Sequence, residues 1–263
     1  MNLIKKGLAL AFLGLILPSS VIAGEAEDKG LKISKESKAR DLGWTDSTAE
    51  LEMILKNQHG ETSSRKMRLK SIEQHDDGDK SLTIFDSPRD VKGTAFLSFS
   101  HPQGNDDQWL YLPALKRVKR ISSRNKSGSF MGSEFSFEDL TSFEVEKYNY
   151  LYLKDEVVDG ESCWVITQYP LDKHSGYKRR IVWIDQSEYR VRKTAFYDRK
   201  DTLLKTLKFT NFHQYLGKHW RSQKFEMVNH QSGKSTVLNY TDFKMKTGLD
   251  EKDFNKNALK RAR

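Results

Sequence analysis

The chain has 263 residues, with 45 Lys+Arg against 36 Asp+Glu and a formal net charge of +9. A mean hydropathy of -0.72 and 37% hydrophobic content exclude a polytopic membrane protein, and 11% aromatic content excludes a disordered one. The basic balance suits anionic surfaces or acidic partners.

The first 23 residues read as an export signal. Lys5 and Lys6 form a positive start, residues 8–17 an apolar run, and Val21-Ile22-Ala23 a small-residue cleavage site. The apolar run is short for a transmembrane helix, and no cysteine follows it to carry a lipid. A soluble periplasmic protein is the expectation, with one domain over residues 24–263. Loss of Lys5 and Lys6 leaves 43 basic against 36 acidic residues, a net +7. Nucleic-acid binding is the usual reading of a basic chain, but an exported protein meets little nucleic acid.

Residues 31–42 carry apolar side chains at helical spacing and predict an amphipathic helix, closed by Gly43. Residues 47–56 then alternate, with Ala49, Leu51, Met53 and Leu55 on one face, as in a half-buried strand. Residues 65–73 alternate again around Met67 and Leu69. A turn at residues 76–79 leads to Leu82, Ile84 and Phe85; residues 88–91 break the pattern, and Ala95, Leu97 and Phe99 resume it.

Trp109, Tyr111 and Leu112 form the next strand, stopped by Pro113. A short strand with Val118 and Ile121 follows. It holds the densest basic cluster, Lys116, Arg117, Lys119 and Arg120. Such a cluster protects an exposed sheet edge, or meets lipid headgroups or a membrane partner. Residues 122–143 then form a glycine- and serine-rich loop that carries Phe130, Met131, Phe135 and Phe137. Four large apolar side chains on a loop must fold over something apolar, either the protein's own core or a greasy ligand.

Tyr148, Tyr150 and Tyr152 share one face of a strand over residues 148–158. Asp159-Gly160 predicts a type I′ hairpin into residues 163–169. Hairpins follow over residues 176–198 and over 203–230, the latter around Gly217. Residues 235–244 form the last strand, and Leu249-Asp250-Glu251 opens a short helix. About eleven strands in meander order, with no strand–helix–strand alternation, predict a mainly β fold. The expected form is a single curved antiparallel sheet, an incomplete β-barrel covered by short helices and a loop.

Chemistry is sparse. The lone cysteine, Cys163, sits in the apolar run CWVI and reads as a small buried hydrophobe. The seven histidines lack metal-ligand spacing, and no nucleophile elbow, P-loop or dinucleotide fingerprint occurs. Glu138-Asp139 could be an acid/base pair, but read better as carboxylates near the start of a short helix. An enzyme, a metal site and a cofactor are therefore not expected. Met53, Met67, Trp109, Tyr111, Trp164, Trp183, Phe209 and Phe225 are expected to point inward. Together they suggest more concave apolar face than small covers can fill.

The run YLPALKRVKRISSRNKSGSFMGSEFSFEDL, with the RDLGW segment at residues 40–44, resembles the LolA/LolB-like group known as outer membrane lipoprotein-sorting proteins. The resemblance spans nearly all of the chain after the leader. It implies a half-barrel closed by a helical lid, with an inner-membrane exporter, of RND type, as donor. The chain is longer than the lipoprotein carriers, and their lid does not match residue by residue. On this reading Met53, Met67, Trp109, Tyr111, Phe130, Met131, Phe135 and Phe137 line or cover an acyl-chain cavity. Lys116, Arg117, Lys119 and Arg120 contact headgroups or a partner. The expected protein is a monomeric carrier of lipid or lipoprotein acyl chains. The alternative is an adaptor of an envelope transporter whose hollow its own side chains fill.

Overall fold

A computed structural model of the chain describes residues 19–261. Residues 1–18, most of the expected export signal, lie outside the described residues. Helix α1 spans Ser19–Asp41, starting well before the predicted residue 31 and passing through the predicted cleavage site. Gly43, at φ 98°, turns the chain out of it.

Thirteen strands follow, against about eleven expected: β1 (Asp46–Lys56), β2 (Thr62–Ile72), β3 (Lys80–Ser87), β4 (Ala95–Phe99), β5 (Asp107–Leu112), β6 (Arg117–Ile121), β7 (Tyr148–Val158), β8 (Glu161–Pro170), β9 (Tyr177–Asp185), β10 (Val191–Asp198), β11 (Leu203–Tyr215), β12 (His219–Asn229) and β13 (Ser235–Met245). Helix α2 covers Lys256–Arg261.

All thirteen belong to one antiparallel sheet, ordered β6-β5-β4-β3-β2-β1-β13-β12-β11-β10-β9-β8-β7. The first and last strands pair in its middle, Met53 opposite Leu238. Its open edges, β6 and β7, are consecutive in sequence, joined by residues 122–147. The Asp159-Gly160 turn has both φ positive, 49° and 84°, as type I′ requires.

The two faces bury different cores. The inner face holds Leu51, Met53, Met67, Phe85, Phe96, Leu110, Phe196 and Leu238. Beyond Phe196 it continues in Tyr150, Ile166, Val182 and Ile184, under Ile33 of α1. The outer face buries Leu82, Ile84, Leu97 and Trp109 under Phe254 and Leu259 at the C-terminal end. Helix α1 lies directly on the edge strand β7. Gly30 makes this possible, because a Cβ there would stand 3.0 Å from the Tyr152 backbone nitrogen. One edge is thus covered by a helix, while the other, β6, keeps its charges in solvent.

Candidate functional site

Two things fill the concave face: a plug made by residues 122–147, and a hollow beside it. In the plug, Phe130 and Phe135 are each 2% exposed. The Phe130 ring lies 5.1 Å from Phe96, 5.7 Å from Phe137 and 5.9 Å from Phe85. Phe137 and Met131 pack partly buried on the same cluster. Of the two readings of this loop, the structure places its side chains in the protein's own core.

Polar bonds fasten the plug to both halves of the sheet. Lys205, on β11, is buried and donates to Asp139 Oδ2 at 2.6 Å and to the Glu134 carbonyl at 2.8 Å. The Tyr177 hydroxyl donates to the other Asp139 oxygen at 2.8 Å. Arg65 of β2 donates to the Met131 carbonyl, and Asn229 of β12 to Glu134. Asp139 also accepts from the Ser136 amide at the start of a 3₁₀ turn over Phe137–Leu140, the helix-start position expected for it. Its neighbour Glu138 accepts from Ser175 and Gly176, while burial pushes its carboxyl above the usual range. Lys205 has a sequence signal: it stands in period-two phase with the inward Leu207 and Phe209.

The hollow is a cleft of about 660 Å³ between the C-terminal half of α1 and the sheet. Two sequence devices open it. On one wall Ser47, Ser71 and Ser81 stand opposite one another across β1, β2 and β3, so that small side chains leave room. On the other wall, aromatics crowd in where regular strands could not put them. Phe209 and Phe212 flank Asn211 at φ 54°; Tyr240 and Phe243 flank Asp242 at φ 48°. A regular strand sends residues three apart to opposite faces. A left-handed residue stands between the two rings of each pair, and Asp and Asn tolerate that backbone best among residues with a side chain; at Asn211 the ladder to β12 keeps its register. At Asp242 the ladder to β1 shifts register. Phe225 completes the wall, 4.8 Å from Phe209 and 4.9 Å from Tyr240.

The mouth carries charge. Arg221 pairs with Asp41, and Lys218 donates to the Leu42 carbonyl at 2.9 Å. Arg190 bonds the fully buried Asp185 at 2.7 Å and lies between the rings of Phe212 and Trp220.

Met53, Met67, Phe130, Met131, Phe135 and Phe137 share the inner cluster. Trp109 and Tyr111 do not: they face outward, with Trp109 beneath α2 and 4.7 Å from Lys256. Leu110 is the inward residue. The run Trp109–Leu112 is apolar on both faces because α2 covers the outer one, so alternation could not tell the faces apart. Trp183 also faces outward, with Cys163 and Val165, while Trp164 sits under α1 with Tyr189. Phe209 and Phe225 line the hollow.

Lys116, Arg117, Lys119 and Arg120 are exposed on the open edge strand and the turn before it, and Arg120 pairs with Asp107. That turn lies at the end of the sheet opposite the hollow's mouth. Cys163 is fully buried, and burial, then the Asp185 charge, push its thiol up to about 11. Among the described residues no group of three His, Cys, Asp or Glu could hold a metal ion, and no helix is long and apolar enough to cross a membrane.

One family model, whose description is that of an uncharacterized protein, matches residues 77–261. Among solved structures, a domain described as an outer membrane lipoprotein-sorting protein, from Vibrio parahaemolyticus, is 62% identical. The match covers 89% of this chain and 100% of that one, with a TM-score of 0.88. A DUF1329 family protein from Desulfovibrio piger is 30% identical over 89% of this chain and 99% of that one, TM-score 0.84. A LolA superfamily protein from Nitrosomonas europaea shares the fold at 22% identity, covering 87% of this chain and 98% of that one, TM-score 0.70. No curated protein matches the sequence.

Proposed function

Because the chain belongs to the LolA/LolB-like group of outer membrane lipoprotein-sorting proteins, we propose that it is a periplasmic carrier that shields an acyl chain in the hollow beneath α1. The observation that carries this reading is the hollow itself. Its volume of about 660 Å³ lies within the ~300–1,000 Å³ usual for ligand sites. Its back wall is aromatic, and the protein's own plug leaves it open. The action is binding, not bond making. Each buried methylene contributes about 0.8 kcal/mol, so one chain is held firmly without a covalent step.

Release of a chain held this way needs a second protein. An inner-membrane exporter of RND type is the proposed donor, and the carrier acts as a monomer. The gate is α1 and not the 122–147 segment, because the latter is bonded to β2, β9, β11 and β12. An adaptor role has one observation in its favour: the plug already fills part of the concave face.

Native mass spectrometry of protein from a periplasmic extract separates the two. A carrier brings lipid with it and takes up added fatty acid after delipidation. The Ser71→Trp variant, which puts a large ring into the hollow, should fold but lose that uptake. A clean mass with no uptake by the parent protein would leave the adaptor.

A further inference from the structure

We infer that the mouth of the hollow selects an anionic headgroup, so that the cargo is an acyl chain ending in a phosphate or a carboxylate. This rests on the carrier reading and adds the chemistry of the cargo to it.

The lining is polarised. Leu69, Phe209, Phe225 and Tyr240 form an apolar wall. The charged lining comprises six Lys and Arg and three Asp and Glu, and four of the six cations pair with carboxylates outside the lining. One of the lining carboxylates, Asp79, is pushed above the usual range by burial, which lowers its tendency to carry charge.

The cations are not equivalent. Arg190 is committed to Asp185 inside the wall. Lys38 pairs with Glu144 at 3.3 Å, and Lys80 pairs with Glu251. Arg40 pairs with Glu36 at 2.8 Å, and both side chains are exposed. Arg221 pairs with Asp41. Lys218 has no carboxylate within ion-pair distance among the described residues. The Leu42 carbonyl takes one of its three donors and leaves two for a ligand.

Lys218 and Arg221 both reach the short stretch after α1: Lys218 bonds Leu42, and Arg221 bonds Asp41 and stands 5.9 Å over the Trp44 ring. Their fields meet at one spot. The imidazole of His219, between them in sequence, is held below the usual histidine range by burial first and then by the Arg221 charge, with Lys218 adding to it and Asp41 and Glu73 opposing. A chain inserted along the aromatic wall would leave its headgroup at the two free donors of Lys218. An anionic head gains charge-assisted hydrogen bonds there; a neutral head gains none of that strength, and a cationic head is repelled.

The test uses four C16 probes on delipidated full-length protein: palmitate, 1-palmitoyl lysophosphatidate, hexadecanol and hexadecyltrimethylammonium. Displacement of a bound fluorophore gives their relative affinities at low and high salt. Both anions should bind about tenfold or more above the alcohol, the worth of one hydrogen bond to a charge. The advantage should shrink with salt. The order of the two anions tells phosphate from carboxylate.

Lys218→Gln should cut the anions' advantage several-fold and leave the alcohol unchanged. Lys218→Glu should abolish it. Because Lys218 is exposed, neither change should disturb folding, and circular dichroism checks this. If the alcohol binds as tightly as the anions, or if both variants bind like the parent, headgroup selection is overturned while the carrier stands. If no probe binds, both fall.

Discussion

Lys205 occupies a place where β11 would otherwise carry an apolar side chain. It is 4% exposed, in phase with Leu207, and its charge is met by Asp139. Removing one partner leaves the other buried and uncompensated, so Lys205→Ala should cost about 3–5 kcal/mol in urea unfolding. Phe130→Ala should cost a similar amount, about 3–5 kcal/mol, since the ring is part of a close aromatic cluster. A lid that swung freely would cost far less, so this value also tells plug from gate.

Asp46 gives a pH-dependent test at the same scale. Burial pushes its carboxyl up, but hydrogen bonds from the hydroxyl and amide of Thr247 and from the Gly248 amide outweigh that and hold it below the usual range. A depressed folded pKa stabilises fully above the ordinary carboxylate value near ~4 and loses that stabilisation as pH falls through the folded value. Asp46→Asn should therefore be less stable than the parent by about 1–3 kcal/mol at pH 7. The gap should narrow in acid, as urea midpoints at neutral and low pH would show. None of these three partnerships follows from local sequence, because each joins residues far apart in the chain. The period-two phase of Lys205 with Leu207 was the one visible hint.

Among the elements, strands were the most legible. The alternations around Met53 and Met67 and the tyrosine face of β7 stand where period two puts them. The aromatic wall was not legible, because it depends on two residues that break the period. Asn211→Val should resist the left-handed backbone, at about 1–3 kcal/mol, and turn Phe212 away. Asn211→Gly should accept the backbone, and fatty-acid retention should fall only in the valine variant. The edge strand β6 makes the opposite kind of prediction. Replacing Lys116, Arg117, Lys119 and Arg120 with glutamine should leave stability and lipid retention alone, since all four are exposed and none lines the hollow. It should raise aggregation, read by light scattering, because an uncharged open edge invites pairing with other copies.

At the scale of the molecule, the half-barrel and its two covers were foreseeable from a long meander with too few helices to hide its faces. Which cover fills and which one shelters a space was not, since that depends on three serines meeting across neighbouring strands. The pairing of β1 with β13 has a consequence for how the chain assembles. Every other strand pair joins neighbours in sequence, so two runs of hairpins, β1–β6 and β7–β13, can form locally and quickly. The ladder between β1 and β13 alone must close a loop nearly as long as the domain, although each doubling of loop length costs only about 0.6 kcal/mol. Ser47, Tyr240 and Phe243 lie on that seam, so the cleft comes into being only when the seam shuts. On the proposed carrier reading, an unfinished molecule would have nowhere to put a greasy tail, and a finished one that held a tail would be clamped along this seam. Pulsed hydrogen exchange should find the β1–β13 amides protected after those of the hairpins, and bound fatty acid should slow their exchange more than that of the β7–β8 amides.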